Sequence, residues 1–138
     1  MFTICNNGVI PAWLLLAFAP GWRGTQWVVH AIWIPALLGL AYLWAMTSGG
    51  PPPEGAGFGS LAGVMKLLSL PHAALAGWIH YLAFDLFVVA WVSRDSQRLG
   101  FSPLLLVLFL FLTMMAGPIC FLLYPFLIHF FLYPPTLH

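Results

Sequence analysis

The sequence predicts an all-α integral membrane protein, a bundle of four transmembrane helices with a short interfacial helix between the second and the third. Three observations carry this. Of 138 residues, 62% are hydrophobic and 5% are charged, whereas soluble domains carry roughly a quarter charged residues. Four Lys or Arg and three Asp or Glu cannot cover the core of a soluble fold, so lipid must be the solvent for most of the surface. The apolar residues also fall into runs near the length of about 20 residues that one bilayer crossing takes. Four such runs with short turns use the whole chain as one transmembrane domain, so any chemistry lies inside the bundle or at its ends.

The first span is expected at about 2–19, where Asn6, Asn7 and Pro11 interrupt the apolar character and Pro20, Gly21 and Gly24 then turn the chain. The second is expected at 26–46, with Trp27 and Trp44 near opposite ends as interfacial anchors and a kink at Pro35, which lacks a backbone donor. Residues 48–60, with Pro51, Pro52 and Pro53 among glycines, form a linker that cannot be helical. Leu61 to Leu70 reads as a short helix near the headgroups that carries Lys66 and ends at Pro71. The third span is expected at 72–93 and the fourth at 103–123, interrupted by Pro118 after Gly117. The apolar run from Tyr124 to Tyr133 either extends the fourth span or lies at the interface, before Pro134 and Pro135. No cleavable signal peptide is read at the start, because Met1 to Asn7 has no basic segment and no small-residue cleavage site follows. The loops that hold Arg23, Arg94 and Arg98 share one side and Lys66 lies on the other, which places the arginine loops in the cytoplasm. Localisation is therefore multi-pass, in a bacterial inner or photosynthetic membrane or a plastid membrane.

A net charge of +1 and the lack of a basic stripe exclude nucleic acid as a partner. Cys5 and Cys120 lack metal-ligand spacing and read as packing residues. Nucleotide-binding, serine-hydrolase and zinc-protease motifs are absent. Asp95 and Arg98 are spaced for a local ion pair in a solvated loop.

Asp85 is the most informative residue, because it lies in the middle of Leu82-Ala83-Phe84-Asp85-Leu86-Phe87. An ionised carboxylate at mid-bilayer costs about 2.5–3.5 kcal/mol on insertion scales. A partner must offset that cost, or the group must stay protonated. It is then either a proton-transferring or ligand-contacting group, or a hydrogen bond that locks two helices. Tyr81 is one turn away on the same face and is the expected local partner, and Trp78 and Val92 share that face. His80, Phe84, Phe87 and Trp91 form a second stripe. It reads either as a groove for a long, flat, conjugated molecule or as ordinary aromatic packing and lipid contact. His80 and Asp85 are about 140° and about 7.5 Å apart on the helix, so they cannot chelate one metal but could flank one elongated ligand. No metal site is expected. His30 and His72 read as residues near span ends, and His129 and His138 belong to the tail. A buried histidine could in principle hold the magnesium of a chlorophyll.

The block from His80 to Val88, preceded by Leu75-Ala76-Gly77-Trp78 and followed by Arg94-Asp95, resembles the abscisic-acid-deficient-four family of small four-helix membrane proteins. The resemblance continues at Leu112-Thr113, Gly117-Pro118 and Leu122-Leu123-Tyr124, with weaker matches at Asn7, Pro11, Trp13, Pro20 and Trp22. Plant members are needed to make neoxanthin from violaxanthin. The resemblance implies a carotenoid- or retinoid-related protein, an isomerase that opens an epoxide with a general acid and removes a proton from carbon with a base. Asp85 and His80 are the expected catalytic pair, with Trp78, Tyr81, Phe84, Phe87 and Trp91 against a carotenoid or other polyene. The other reading is a non-catalytic accessory or assembly subunit that binds pigment and other membrane proteins, or a second copy of itself. A transporter ranks last, because four short helices with one acid could line a pore only as an oligomer.

Overall fold

The computed structural model describes residues 1–29 and 33–132. His30, His138, Pro134 and Pro135, which entered the sequence reading, lie outside these residues. The described chain is helical, with no strand among the described residues. Its elements are α1 (Phe2–Gly8), α2 (Ile10–Phe18), α3 (Arg23–Val28), α4 (Trp33–Thr47), α5 (Leu61–Leu68), α6 (Pro71–Leu99) and α7 (Pro103–Leu132).

Among the described residues, three stretches are long and apolar enough to cross a membrane: Arg23–Thr47, Pro71–Leu99 and Leu104–Phe126. The first apolar segment, Phe2–Phe18, is shorter. Its two helices of 7 and 9 residues meet at Val9, where Pro11 lacks the N–H that would continue the ladder. At 1.5 Å per residue the pair reaches about 24 Å, short of a hydrocarbon core of about 30 Å. Pro35, expected to kink the second span, falls in the first described turn of α4.

The linker has the irregular backbone that its prolines and glycines impose. Ser60 then caps α5, its hydroxyl accepting from the Gly63 N–H at 3.0 Å. Pro71 occupies the opening turn of α6, where a missing donor costs nothing. The helix runs on past Arg94 and ends at Gly100, whose φ of 70° suits glycine. α6 is central and packs against α1, α2, α4, α5 and α7. Ile79, Leu86, Val89 and Val92 are at most 1% exposed and form its core-facing rows.

α7 extends through the apolar tail to Leu132 and is broken inside. Ala116 has φ −153° and ψ 61°, outside the helical range, two residues before Pro118. A bond from Thr113 Oγ1 to Cys120 Sγ at 2.9 Å ties the two halves across this break. Thr113 Oγ1 also lies 2.8 Å from Phe109 O, so the hydroxyl has two acceptors within reach.

Candidate functional site

The break in α7 lies opposite the buried acid of α6. Asp85 is 4% exposed, on the face of α6 that meets α7. A Cβ built on Gly117 would stand 2.6 Å from Asp85 Oδ1, so the carboxyl occupies the space that a glycine leaves. Pro118 has no N–H to give to the carbonyl of Met114, four residues earlier. Tyr81 takes that orphan: its hydroxyl donates to Met114 O at 2.8 Å. The same phenol interacts with the Asp85 carboxyl, and its lone pairs remain available while its proton is given to Met114. One tyrosine thus repairs the kink and touches the acid. Tyr81→Phe is expected to weaken the α6–α7 pairing by about 0.6–1.7 kcal/mol, the range for hydrogen bonds between membrane helices. Unfolding of the reconstituted protein in denaturant measures it.

These groups line a groove of about 500 Å³ between α1–α2, α6 and α7, within the range of small-molecule sites. Asp85, Tyr81 and Trp78 come from α6, Met114 and Met115 from α7, and Asn6, Ile10 and Trp13 from the first two helices. Trp78 Nε1 donates to Asn6 Oδ1 at 3.2 Å and its ring packs, tilted, against Phe2 and Tyr81, centroids 5.7 and 5.5 Å away. Asn6, Ile10, Trp13, Met114, Met115 and Gly117 are among the site residues that sequence reasoning missed. One signal was present, since the carbonyl freed by Pro118 is fixed by counting back one turn. The approach of Asn6 to Trp78 has no local signal.

The remaining expected site residues lie elsewhere. His80 faces a different hollow, beside Tyr42 at a centroid distance of 6.1 Å, and does not meet Asp85. Phe84 and Phe87 are 52% and 62% exposed and point out of the bundle. Trp91 packs edge-on against Tyr124 at 5.3 Å, far along α6 from the groove. His72 shares the hollow of His80. No group of three metal-ligating side chains occurs among the described residues.

Fold and site together define an all-helical membrane protein with one buried carboxyl at a helix break, beside a lateral apolar groove. The sequence model of the ABA DEFICIENT 4-like family matches residues 1–124, and the chain belongs to that family. Neither a curated protein nor a solved structure matches it.

Proposed function

We propose that this chain is a carotenoid- or retinoid-related membrane protein that isomerises a conjugated polyene by acid/base chemistry at Asp85. One observation carries the reading: a buried carboxyl and a phenol share the wall of an apolar groove of about 500 Å³. Family membership supports the substrate class, through the neoxanthin chemistry that the resemblance implies.

That chemistry moves two protons and needs no oxidant. The Asp85 carboxyl gives its proton to the epoxide oxygen as one C–O bond breaks, leaving a hydroxyl and a carbocation conjugated with the polyene. The carboxylate then takes the proton from the neighbouring vinyl carbon, and the C–H electron pair completes the allene. Asp85 ends as it began, and the product is an isomer of the substrate. A single carboxyl serves as acid and then as base, which fits a groove that His80 does not line. Tyr81 orients the carboxyl, and Trp78 and Trp13 wall the ring.

The same reading keeps four passes within a single domain. Phe2–Phe18 forms the short first pass, because it packs beside α6 and α7 with Leu14 and Phe18 exposed as lipid-facing residues. Arg23, Arg94 and Arg98 lie in the cytoplasm. The bond from Gln97 Nε2 to Pro20 O at 3.3 Å, which brings the first turn to the end of α6, supports a shared side. An accessory role is the second reading. The outward Phe84 and Phe87 favour it, since they offer a flat apolar face to a pigment, a partner subunit or a second copy.

The test is expression in a host that accumulates epoxy-carotenoids. The wild-type chain is expected to convert epoxide to isomer, and Asp85→Asn, with unchanged circular dichroism, to lower conversion by about 100-fold or more. An identical pigment profile for a folded Asp85→Asn would remove Asp85 from the chemistry. No conversion by the wild type would leave the accessory reading.

A further inference from the structure

The three arginines of the chain, Arg23, Arg94 and Arg98, lie at one end of the bundle. The first turn is tied to the end of α6: Gln97 Nε2 donates to Pro20 O at 3.3 Å, and a Cβ on Gly21 would stand 3.8 Å from Gln97 Oε1. Arg23 follows this turn directly. Arg94 stands about one turn before Gln97 on the same side of α6, and Arg98 one turn beyond Arg94. The local pair that the spacing of Asp95 and Arg98 allows does not form, because Asp95 accepts instead from Tyr124 at 3.0 Å. All three arginines are exposed, and none has an ion pair or hydrogen bond among the described residues. With Asp95 as its acid, this end carries three positive charges against one negative, while Lys66 and Glu54 cancel on the linker side. Trp22 and Trp27, 60% and 69% exposed, flank Arg23. The ring of Trp22 lies over Gly24, where a methyl group would collide with it.

We infer that this end is a docking surface for the headgroup of an anionic phospholipid. Charge complementarity carries the inference, since the arginines find no carboxylate within the chain and a phosphodiester supplies the missing anion. A guanidinium presents a planar fork of donors that matches phosphate oxygens two at a time. A zwitterionic headgroup brings its own cation to the same place and gains less. The position selects a lipid over a free anion. Arg94 and Arg98 occupy the last turns of the apolar stretch Pro71–Leu99, and Arg23 opens the stretch Arg23–Thr47. All three therefore stand where a crossing helix leaves the hydrocarbon, at the level of the lipid phosphates, and basic residues there draw acidic lipids. Trp22 and Trp27 belong at that same level, and their exposed rings give the acyl chains of a bound lipid an apolar surface beside Arg23. The surface depends on the membrane placement of these helices and not on the chemistry at Asp85.

The test uses the full chain, freed of lipid in a neutral detergent, and native mass spectrometry with phosphatidylglycerol and phosphatidylcholine of identical acyl chains. Phosphatidylglycerol is expected to bind about tenfold more tightly than phosphatidylcholine. The triple variant Arg23→Gln, Arg94→Gln and Arg98→Gln is expected to bind the two lipids equally. Lys66→Gln, which removes the same kind of charge from the other end, is expected to keep the preference. Melting curves establish that each variant is folded, and Arg94→Gln alone, with an expected loss of about twofold, decides the matter if the triple variant is not. Equal affinity of the wild type for the two lipids, a preference that survives the Arg→Gln changes, or one that Lys66→Gln removes as fully would overturn the surface. Release of bound phosphatidylglycerol by inorganic phosphate would identify a free anion as the occupant and overturn it too.

Discussion

Gly117→Leu is expected to abolish conversion in the Asp85 groove and to destabilise the bundle by about 1–3 kcal/mol. A Cβ at that position meets Asp85 Oδ1 at 2.6 Å, and neither partner has an easy escape. Asp85 is 4% exposed on the most enclosed helix, and Gly117 sits in a break that the Tyr81–Met114 and Thr113–Cys120 bonds hold from both sides. Either the carboxyl swings out of the groove or α7 moves away, and overpacking of this kind typically costs the amount stated. Gly117→Ala, with one methyl, is expected to fall between wild type and Leu in both measurements. Pigment analysis reads the first effect and denaturant unfolding the second. If Gly117→Leu converted substrate at the wild-type rate, the close approach of α7 to Asp85 would have no bearing on function.

Tyr124→Ala is expected to cause the largest loss of stability, roughly 3–5 kcal/mol, with the groove chemistry otherwise intact in the folded fraction. Tyr124 is fully buried and stands edge-on to Phe109 and Trp91, at 5.2 and 5.3 Å. Its hydroxyl donates to Asp95 Oδ2 at 3.0 Å, where α6 and α7 meet away from the groove. Truncation removes several aromatic contacts, each worth about 0.5–1.5 kcal/mol, and leaves a cavity between two helices whose association depends on packing. Tyr124→Phe keeps the ring and loses the bond, so about 1 kcal/mol is expected. Equal unfolding midpoints for Tyr124→Ala and wild type would contradict this account of how α6 and α7 are held together.

The two substitutions act on features of unequal visibility in the sequence. Helix positions followed from apolar runs and from Pro and Gly punctuation, and Asp85 stood out because a carboxyl among Leu and Phe is costly in lipid. Tyr81 was placed beside it by helical spacing alone, and the structure adds its second task at Met114 O. What spacing along one helix cannot supply is the partner across an interface. Gly117 and Pro118 were legible as an interruption in α7, but that the interruption faces Asp85 depends on the relative rotation of two helices. The same holds for Tyr124 and Asp95, which are 29 residues apart. His80 shows the opposite case. Helical spacing set it about 140° from Asp85 and left a shared elongated ligand open, and the structure adds that it lines a hollow on the α4 side of α6. The first apolar segment, expected at about 2–19 with an interruption at Pro11, is seen as the two short helices α1 and α2 over Phe2–Phe18.

In the proposed function, Asp85 alone transfers both protons within the groove. This is tested most directly with purified chain in lipid vesicles loaded with violaxanthin, comparing wild type, Asp85→Asn and His80→Gln by chromatography of the pigments over time. Neoxanthin is expected from wild type and from His80→Gln at similar rates, with a loss of about 100-fold or more in Asp85→Asn. Conversion that survives in Asp85→Asn, or that disappears in His80→Gln, would contradict it.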